Sequence, residues 1–557
     1  MTRHLLALLA LLALLLPAPS LAQGAVTSAD PRATQAGQEI LRAGGSAADA
    51  ALAMMLALTV VEPQSSGIGG GGFILHHDAE TGRLQTIDGR ETAPAAARPD
   101  RFLGADGKPT PFVQAVAGGR SVGVPGNIRL AALAHRKWGR LPWPRLFEPA
   151  IRLADGGFPA TAPLAQRSAQ MARLWGDFPA IAQLYAPGGK PVAEGATVRN
   201  PALAALLRRI AAEGPDAFYT GANAQALLDA VNRSRGAPGD MTAPDLAGYR
   251  AKERAPVCGR YRVWRICGMG PPSSGATTVL GVLGMLERFD MRKLGPANPQ
   301  SWHLIAEAMQ LAYADREKYL ADADFTAVPV AGLIDRGYLA RRSRLISPLR
   351  ALGAYAAGDP PGAPARTPAM QFEPAGTTHF IAVDGRGDVA TMTSTVEGPF
   401  GSQLVANGFV LNNELTDFTL APAVNGLPVA NRVQGGKRPL SSMSPTIVYD
   451  GRGRPVFTVG AAGGKTIIMQ VAKALIAHLD WGMPAQQAIG EGLVYFGREG
   501  VILEQGTARE ALKPALERLG HKVVVAPLGL KANAAERTAA GWVGAADPRG
   551  VGTASRP

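Results

Sequence analysis

The chain has 557 residues and a formal net charge of +13, with 46% hydrophobic and 18% charged residues. This length exceeds what one simple core holds, and the composition is that of a folded protein rather than a disordered one. The positive charge comes without a Lys/Arg run of five or more, an aromatic-interleaved basic stripe or a helix-turn-helix pattern. We therefore expect scattered surface arginines and no nucleic-acid partner.

The first 22 residues have the features of a secretory signal peptide. Arg3 and His4 precede the apolar run Leu5–Leu16, and the small residues Ser20 and Ala22 follow it. This run is too short to span a bilayer, and the arrangement predicts cleavage after Ala22. We expect the mature protein to be periplasmic or secreted, without a membrane span.

Two cysteines, Cys258 and Cys267, flank the segment Gly259–Arg262, which we interpret as a hairpin turn. Export places them in an oxidising compartment, which favours a disulfide between them; two buried free thiols are the alternative. Two cysteines without a neighbouring histidine do not predict a metal site.

Hydrophobic periodicity and turn residues predict helices and strands along the whole chain. Four consecutive glycines at 69–72 predict close backbone packing rather than a phosphate loop, because no lysine follows them. Strand-rich segments enclosed by helices predict a layered protein with antiparallel sheets. The predicted helices are Pro31–Gly44, 46–61 with Ser46 as its cap, Pro201–Ala212, Asn223–Ser234, 301–325 with Ser301 as its cap, and Thr466–Leu479. The predicted strands include Phe73–His77, Leu84–Ile87, Phe409–Thr419, Thr446–Tyr449 and Val456–Gly460.

The stretch Gln371–Thr395 predicts two strands joined by a tight turn at 385–388. It has two interpretations. It is an ordinary hairpin, or it is the start of a catalytic subunit. A loop rich in Pro, Gly and Ala, Gly358–Gly376, precedes Thr377 at the head of the first strand. After a cut between Gly376 and Thr377, the new α-amine would be the base for the hydroxyl of Thr377.

The segment Gly460–Thr466 resembles a phosphate-binding loop, but its glycine spacing does not match that motif. Gly463 and Gly464 lie at the start of a predicted helix. Their backbone N–H groups and the helix dipole favour an oxyanion site.

Several polar residues together predict a site that holds both ends of an amino acid. Arg90 lies at a strand end, and Ser441 and Ser442 lie in a turn flanked by prolines; these three would bind a carboxylate. An ammonium group would require carboxylates nearby, and the sequence offers three in polar surroundings, namely Glu397, Glu414 and Asp417.

These motifs resemble the γ-glutamyltranspeptidase family, from about Ala25 to the Asp547-Pro548-Arg549 segment. The resemblance rests on GRETAP around Arg90, SVGVPG, PPSSG, HLIAEAMQLAYADR, TTHF, NNELTDF, KRPLSSMSP and the Gly-Gly pair after a strand. It implies an α+β fold: a four-layer αββα N-terminal-nucleophile hydrolase sandwich, with antiparallel sheets between helical layers. It also implies self-cleavage into a large subunit, 23–376, and a small catalytic subunit, 377–557, without a cofactor.

The resemblance implies a role for each matching residue. Thr377 attacks a γ-glutamyl amide such as glutathione, and the acyl group passes to water or to an amino acid or peptide. Thr395 hydrogen-bonds this nucleophile, and Gly463 and Gly464 stabilise the oxyanion. The substrate α-carboxylate is implied to meet Arg90, Ser441 and Ser442, and the α-amine Glu397, Glu414 and Asp417.

Two features depart from the family pattern. Lys465 follows the glycine pair where a small residue is expected, which adds positive charge near the oxyanion site. Compared with the family pattern, we also expect the loop Phe418–Lys437 to be shorter than in members with a full substrate lid. The alternatives are a glutaryl-type (cephalosporin) acylase of the same fold and a non-catalytic exported binding protein. Asp417 favours a γ-glutamyl donor, because a glutaryl group has no amine to pair with it.

Overall fold

The computed structural model describes residues 24–373, 376–497 and 499–556. The predicted signal peptide therefore lies outside the described residues. Within those residues, no helix has both the length and the apolar character needed to cross a membrane.

The strands form two large sheets and several small ribbons. In chain order they are β1 Ala25–Ser28, β2 Gly71–His77, β3 Leu84–Asp88, β4 Phe158–Pro159, β5 Thr197–Val198, β6 Lys252–Arg254, β7 Val257–Tyr261, β8 Trp264–Gly268, β9 Thr378–Val383, β10 Val389–Thr395, β11 Val405–Ala406, β12 Phe409–Val410, β13 Ala423–Val424, β14 Leu427–Pro428, β15 Thr446–Tyr449, β16 Pro455–Ala462, β17 Val494–Gly497, β18 Gly500–Glu504, β19 Val523–Ala526, β20 Lys531–Thr538, β21 Gly541–Ala546 and β22 Thr553–Ser555.

The α-helices account for much of the remaining regular structure. They are α1 Pro31–Arg42, α2 Ala47–Val61, α3 Phe112–Val116, α4 Asn127–Trp138, α5 Glu148–Gly156, α6 Ala162–Met171, α7 Pro179–Tyr185, α8 Pro201–Glu213, α9 Asp216–Tyr219, α10 Gly221–Asn232, α11 Ala243–Gly248, α12 Gly275–Leu286, α13 Met291–Leu294, α14 Pro299–Tyr319, α15 Val330–Leu333, α16 Arg336–Ser343, α17 Thr466–Leu479, α18 Ala485–Gly490 and α19 Lys513–Arg518.

Both large sheets are antiparallel throughout. The first has the strand order β22-β1-β9-β10-β2-β3-β6, and the second has the order β21-β20-β16-β15-β8-β7. In the first sheet, the central pair β9 and β10 is the hairpin predicted from the Gln371–Thr395 stretch, with Val389 opposite Val383. The hairpin thus occupies the middle of the sheet, where neighbouring strands hold both of its edges.

Side chains alternate between two cores along β9. Phe380 and Ala382 belong to a core with helices α1 and α2, whereas Ile381 and Val383 belong to a core with the second sheet and helices α12, α14 and α17. This period of two is the pattern of a strand buried on both faces. The layers are therefore helix, sheet, sheet and helix, which confirms the predicted αββα sandwich.

Helix α2 is buried along its whole length. Ser46 and Asp49 form a capping box at its start, as the cap predicted from Ser46 requires. The prediction for α14 was wrong at both ends. The helix begins at Pro299 with Asn298 as its cap, because proline is well suited to the first helical turn. It ends at Tyr319.

The cysteine hairpin also differs from its prediction in detail. Cys258 and Cys267 lie directly opposite each other in β7 and β8, and the structure joins them by a disulfide. The turn lies between Tyr261 and Trp264. Gly259 is part of β7, opposite Ile266, and a side chain there would collide with Leu280.

The four-glycine run allows backbones to approach closely at the entrance to β2. A Cβ at Gly69 would lie 2.1 Å from the carbonyl oxygen of Val410, and one at Gly70 would lie 1.9 Å from that of Thr395. The run therefore brings the end of β10 against β2, as close packing predicts.

Candidate active site

Thr377 lies directly before β9, and its side chain faces the end of β10. Its Oγ1 donates a hydrogen bond of 3.0 Å to Oγ1 of Thr395. Thr395 also accepts a 2.7 Å hydrogen bond from the backbone N–H of Glu397. The backbone N–H of Thr377 donates to the carbonyl of Ser65 at 3.0 Å. Both the hydroxyl and the nitrogen of Thr377 therefore have fixed positions.

The peptide bond before Thr377 is tightly confined. A Cβ at Gly376 would lie 1.7 Å from the carbonyl oxygen of Glu397, so only glycine fits there. Thr377 itself has φ 81° and Glu397 has φ 78°. A positive φ is rare for a β-branched residue and costs about 1–3 kcal/mol. The uncut chain therefore stores backbone strain next to the bond predicted to be cut.

A small cavity, which we call the donor cavity, borders Thr377. It brings together nearly all the residues predicted from the sequence for the site. Its lining includes Arg90, Glu373, Thr377, Thr395, Glu397, Glu414, Asp417, Ser441, Ser442 and Gly464.

Arg90 is buried in the wall of this cavity, with 1% of its surface exposed. It pairs with Glu414 and, at 2.5 Å, with Asp417. It also donates to the carbonyls of Pro439 and Leu440 at 3.2 and 2.9 Å. The sequence predicted Arg90 and these carboxylates for opposite ends of the substrate, but here they form one ion-paired unit.

Three carboxylate oxygens of the donor cavity have no hydrogen-bond partner among the described residues. They are Oε1 of Glu397, Oε2 of Glu414 and Oδ1 of Asp417. Burial raises the pKa of each carboxyl well above its usual range, and repulsion between the carboxylates adds to this effect. A buried unpaired acceptor costs free energy. The arrangement is therefore suited to a cation with several N–H donors.

The two serines supply hydroxyl donors on the same cavity. Ser441 Oγ accepts from the N–H of Met443 at 3.2 Å, and Ser442 Oγ accepts from Arg316 Nη2 at 2.9 Å. Each hydroxyl retains its proton to donate. The turn is fixed by the PPSSG motif, since Ser274 Oγ donates to the carbonyl of Ser441 at 2.7 Å.

Gly463 and Gly464 connect β16 to helix α17. Their φ angles are 130° and 59°, which favours glycine at both positions. Within the described residues, neither N–H donates a hydrogen bond. Gly464 lines the donor cavity beside Thr377, while Gly463 lines a second cavity that also includes Thr377. Two unused donors thus flank the threonine.

Lys465 does not line the donor cavity. Its Nζ pairs with Glu317 of α14 at 2.5 Å, and burial lowers the pKa of its ammonium group. Lys465 therefore does not direct its positive charge into the oxyanion site as we expected. Its ammonium group extends towards α14 and pairs with Glu317.

Sequence reasoning missed Arg316, Glu373 and Glu91. Arg316 is buried and bridges Ser442 to Glu373, its Nη2 lying 2.5 Å from the carboxylate of Glu373. Glu91 is buried between Arg90 and Glu414, and burial raises its pKa to about 7. Arg316 lies within the HLIAEAMQLAYADR motif, and Glu91 directly follows Arg90. These positions in two of the matching motifs could have indicated that both residues lie near the site.

His379, the third residue of TTHF, is structural. Its Nδ1 hydrogen-bonds to the hydroxyl of Thr393 and its Nε2 to that of Thr391. Burial lowers the pKa of the imidazole to about 3. The ring packs on Gly460, where a Cβ would lie 2.3 Å from it. The first glycine of the apparent phosphate-binding loop thus has a packing role.

Elsewhere, His303, Glu307 and His521 place donor atoms within 4.8 Å of one another. His303 Nδ1 and His521 Nε2 share a hydrogen bond of 2.7 Å, and His303 Nε2 bonds to the carbonyl of Ser347 at 2.7 Å. These contacts fasten Ser347, which follows α16, and His521, which follows α19, to helix α14.

The αββα sandwich, with a threonine at the head of a central strand, defines the class of N-terminal-nucleophile hydrolases. The sequence profile described as Gamma-glutamyltranspeptidase matches residues 33–556. A glutathione hydrolase proenzyme of Bacillus subtilis (strain 168) is 37% identical over 518 residues, which cover 91% of this chain and 86% of that protein.

An acylase ACY 1 proenzyme of Pseudomonas sp. (strain SE83) is 36% identical over 514 residues, which cover 91% of this chain and 88% of the relative. The crystal structure of cephalosporin acylase from Bacillus halodurans matches with a TM-score of 0.85 and 27% identity over 96% of each chain. The chain belongs to the γ-glutamyltranspeptidase family.

Proposed function

We propose that the protein is a self-processing γ-glutamyl hydrolase and transferase, with Thr377 as its nucleophile. The observation that carries this proposal is the set of three unpartnered carboxylate oxygens in the donor cavity. They suit the α-ammonium of a γ-glutamyl group, and the hydroxyls of Ser441 and Ser442 suit its α-carboxylate. Binding both ends would direct the γ-carbonyl towards Thr377.

Processing begins with attack of Thr377 Oγ1 on the carbonyl carbon of Gly376. The C–N bond of that peptide breaks as an ester forms, and the proton of the hydroxyl passes to the departing nitrogen. Water then hydrolyses the ester. This leaves a carboxylate on Gly376, a free hydroxyl and a free α-amine on Thr377. The backbone strain at Thr377 favours this step, because cleavage frees φ of that residue.

In the processed enzyme, the α-amine of Thr377 takes the proton of its own hydroxyl as the hydroxyl attacks the γ-carbonyl. The N–H groups of Gly463 and Gly464 would stabilise the oxyanion. The amine returns the proton to the leaving nitrogen, and a γ-glutamyl ester of Thr377 remains. Water or an acceptor amine then attacks the ester, and Thr395 keeps the hydroxyl oriented throughout.

The names of the relatives support the substrate class. The relative from Bacillus subtilis is named a glutathione hydrolase proenzyme, so we expect γ-glutamyl amides such as glutathione as donors. We also expect two subunits, 23–376 and 377–557, and export through the predicted signal peptide.

A glutaryl-type acylase is the second candidate, since an acylase relative is nearly as similar as the hydrolase. A glutaryl group has no ammonium, so it would leave the three carboxylate oxygens of the donor cavity unpaired. We therefore expect γ-glutamyl amides to be cleaved with a higher kcat/KM than the matching glutaryl amides. A preference for glutaryl amides would favour the acylase.

Replacement of Thr377 tests the proposal directly. Thr377→Ala should migrate as one uncut chain on a denaturing gel and release no product from a γ-glutamyl anilide, whereas wild type shows two bands. Thr377→Ser is the matched control, because it keeps a hydroxyl and should retain cleavage. A cut and active Thr377→Ala variant would refute the assignment, and an uncut wild type would favour a non-catalytic binding protein.

A further inference from the structure

The segment that follows Asp335 combines positive charge with exposed leucines. Residues 336–358 contain five arginines and no aspartate or glutamate. One of these arginines, Arg342, is buried and pairs with Asp315 at 3.2 Å. The other four are exposed, and none of them forms an ion pair with a described residue. We call the exposed surface of residues 336–352 the basic face, and its arginines are Arg336, Arg341, Arg344 and Arg350.

Three leucines are exposed on the same face. Leu349 has 78% of its surface exposed, Leu345 has 45% and Leu352 has 38%. In the part of the chain that the structure describes, no other stretch of eight residues has three exposed large hydrophobic side chains. Single exposed leucines are ordinary, but a group of them on one segment marks an interaction surface.

The backbone that carries these leucines is fixed by contacts with the interior. Ile346, between the first two leucines, has 1% of its surface exposed. His303 Nε2 hydrogen-bonds to the carbonyl of Ser347 at 2.7 Å, and the N–H of Leu352 donates to the carboxylate of Glu307 at 3.0 Å. The exposure of the leucines is therefore a property of the folded segment and not of a loose loop.

The positive charge continues across a groove between β7, α12 and α16. This groove has a volume of about 370 Å³, and its one acidic side chain, Glu287, pairs with Arg262 at 3.3 Å. The remaining lining combines arginines with apolar side chains, as the basic face does. The arginines are Arg260, Arg288, Arg336 and Arg344, and the large apolar residues are Leu280, Ile334 and Leu339.

Arginines without ion-pair partners beside exposed leucines suit a surface that is anionic outside and apolar beneath. Nucleic acid would match the charge but would leave the leucines in water. We propose that the basic face binds the surface of a bilayer that contains anionic phospholipid. The arginines pair with headgroup phosphates, and the leucines enter the boundary between headgroups and acyl chains. Binding of this kind is peripheral, and the inference does not depend on the proposed function.

Sedimentation with lipid vesicles tests this proposal. Wild-type protein should sediment with vesicles of equal parts phosphatidylglycerol and phosphatidylcholine, and it should stay in the supernatant with phosphatidylcholine alone. In Arg344→Gln/Arg350→Gln, the apparent Kd for the anionic vesicles should rise about 30-fold, because each arginine near such a surface contributes about a fivefold factor in affinity.

Salt separates the contribution of the leucines from that of the arginines. Leu349→Ser should weaken binding about tenfold at every salt concentration, because it removes apolar surface that the bilayer would bury. The effect of the arginine changes should shrink as salt is added, because salt screens the charges. Unchanged binding of Leu349→Ser would overturn the proposal, as would a salt-independent affinity of wild type.

The chain offers a matched control. Arg173-Leu174 is the same dipeptide as Arg344-Leu345 and is similarly exposed, with 41% of Leu174 accessible, but it lies outside the basic face. Arg173→Gln/Leu174→Ser should bind anionic vesicles like wild type, whereas Arg344→Gln/Leu345→Ser should not.

Cleavage of a γ-glutamyl anilide and the Tm of each variant show whether it is folded, and both should stay at wild-type values. Three outcomes would overturn the proposal: wild type that sediments with neither kind of vesicle, wild type that sediments equally with both, and equal losses of binding in the two double variants that change an Arg-Leu dipeptide.

Discussion

Two buried ionic clusters lie side by side in this protein and differ in how completely their hydrogen bonds are satisfied. In the donor cavity, Arg90 pairs with Glu414 and Asp417, and each carboxylate retains an unpartnered oxygen. In the neighbouring cluster, Asp88 accepts from Arg438 and Arg254 at 2.6 Å each. We call these the donor cluster and the Asp88 cluster.

The Asp88 cluster has no unpartnered atom among its described residues. Arg438 also donates to the carbonyls of Arg90 and Arg250, at 3.0 and 2.8 Å, and Asp88 accepts from the N–H of Arg90 at 2.8 Å. A satisfied ionic cluster holds the backbone of Arg90 in place, whereas an unsatisfied one has capacity for a ligand. Because only the donor cluster has unpartnered oxygens, we expect the Asp88 cluster to stabilise the fold and the donor cluster to bind a ligand.

The largest effect is expected for Asp88→Asn. The change removes the negative charge between two arginines and leaves Arg438 buried without its partner. Breaking such a pair costs about 3–5 kcal/mol of unfolding free energy. Thermal unfolding followed by calorimetry should show a clear decrease of Tm. Asp100→Asn is a control at an exposed carboxylate and should leave Tm unchanged; an unchanged Tm in Asp88→Asn would contradict the structural role of its cluster.

Asp417→Asn should affect binding more than stability, because Arg90 keeps Glu414 as an ion-pair partner. The amide keeps the shape of the side chain but lacks the charge that attracts an ammonium group. One charged hydrogen bond contributes about 1.5–3 kcal/mol, so kcat/KM for a γ-glutamyl anilide should fall about 10- to 100-fold. Steady-state kinetics with a glutaryl anilide is the internal control. An equal loss of kcat/KM for both donors would show that Asp417 does not bind the ammonium group.

The sequence predicted binding roles for the residues of the donor cluster, but it showed neither their pairing with Arg90 nor the role of the Asp88 cluster. Arg90 and Arg438 lie in similar surroundings, each followed within a few residues by proline, and only Arg90 was singled out. The two arginines differ in their ion-pair partners, which come from distant segments of the chain. Spacing along the sequence does not reveal such partners. The hairpin around Thr377 was predictable because alternation and turn residues are local signals.

Other roles could not be predicted for the same reason. Arg316 reaches Ser442 and Glu373 from helix α14, which is buried along most of its length and carries no local signal for this role. The spacing of Gly460 excluded a phosphate-binding loop, but the reason for this glycine, the ring of His379 from another strand, was not visible in the sequence. Gly376 was predicted as a cleavage position, yet its exclusion of a side chain depends on the carbonyl of Glu397. Each role depends on tertiary neighbours.

The smallest expected effect is a pH dependence of donor selectivity. Burial raises the pKa of the carboxyls of Glu397, Glu414 and Asp417 in the donor cluster, and an ammonium ligand favours their charged forms. Binding should therefore release protons, and affinity should fall as the pH is lowered from 7 towards 5, before ordinary carboxyls titrate. The measurement is the ratio of KM for a γ-glutamyl anilide to KM for a glutaryl anilide over this range. Both donors use the same Thr377 amine, so its titration affects them alike. The ratio should rise with acidification, and a flat ratio would mean that these carboxylates do not contact the ammonium group.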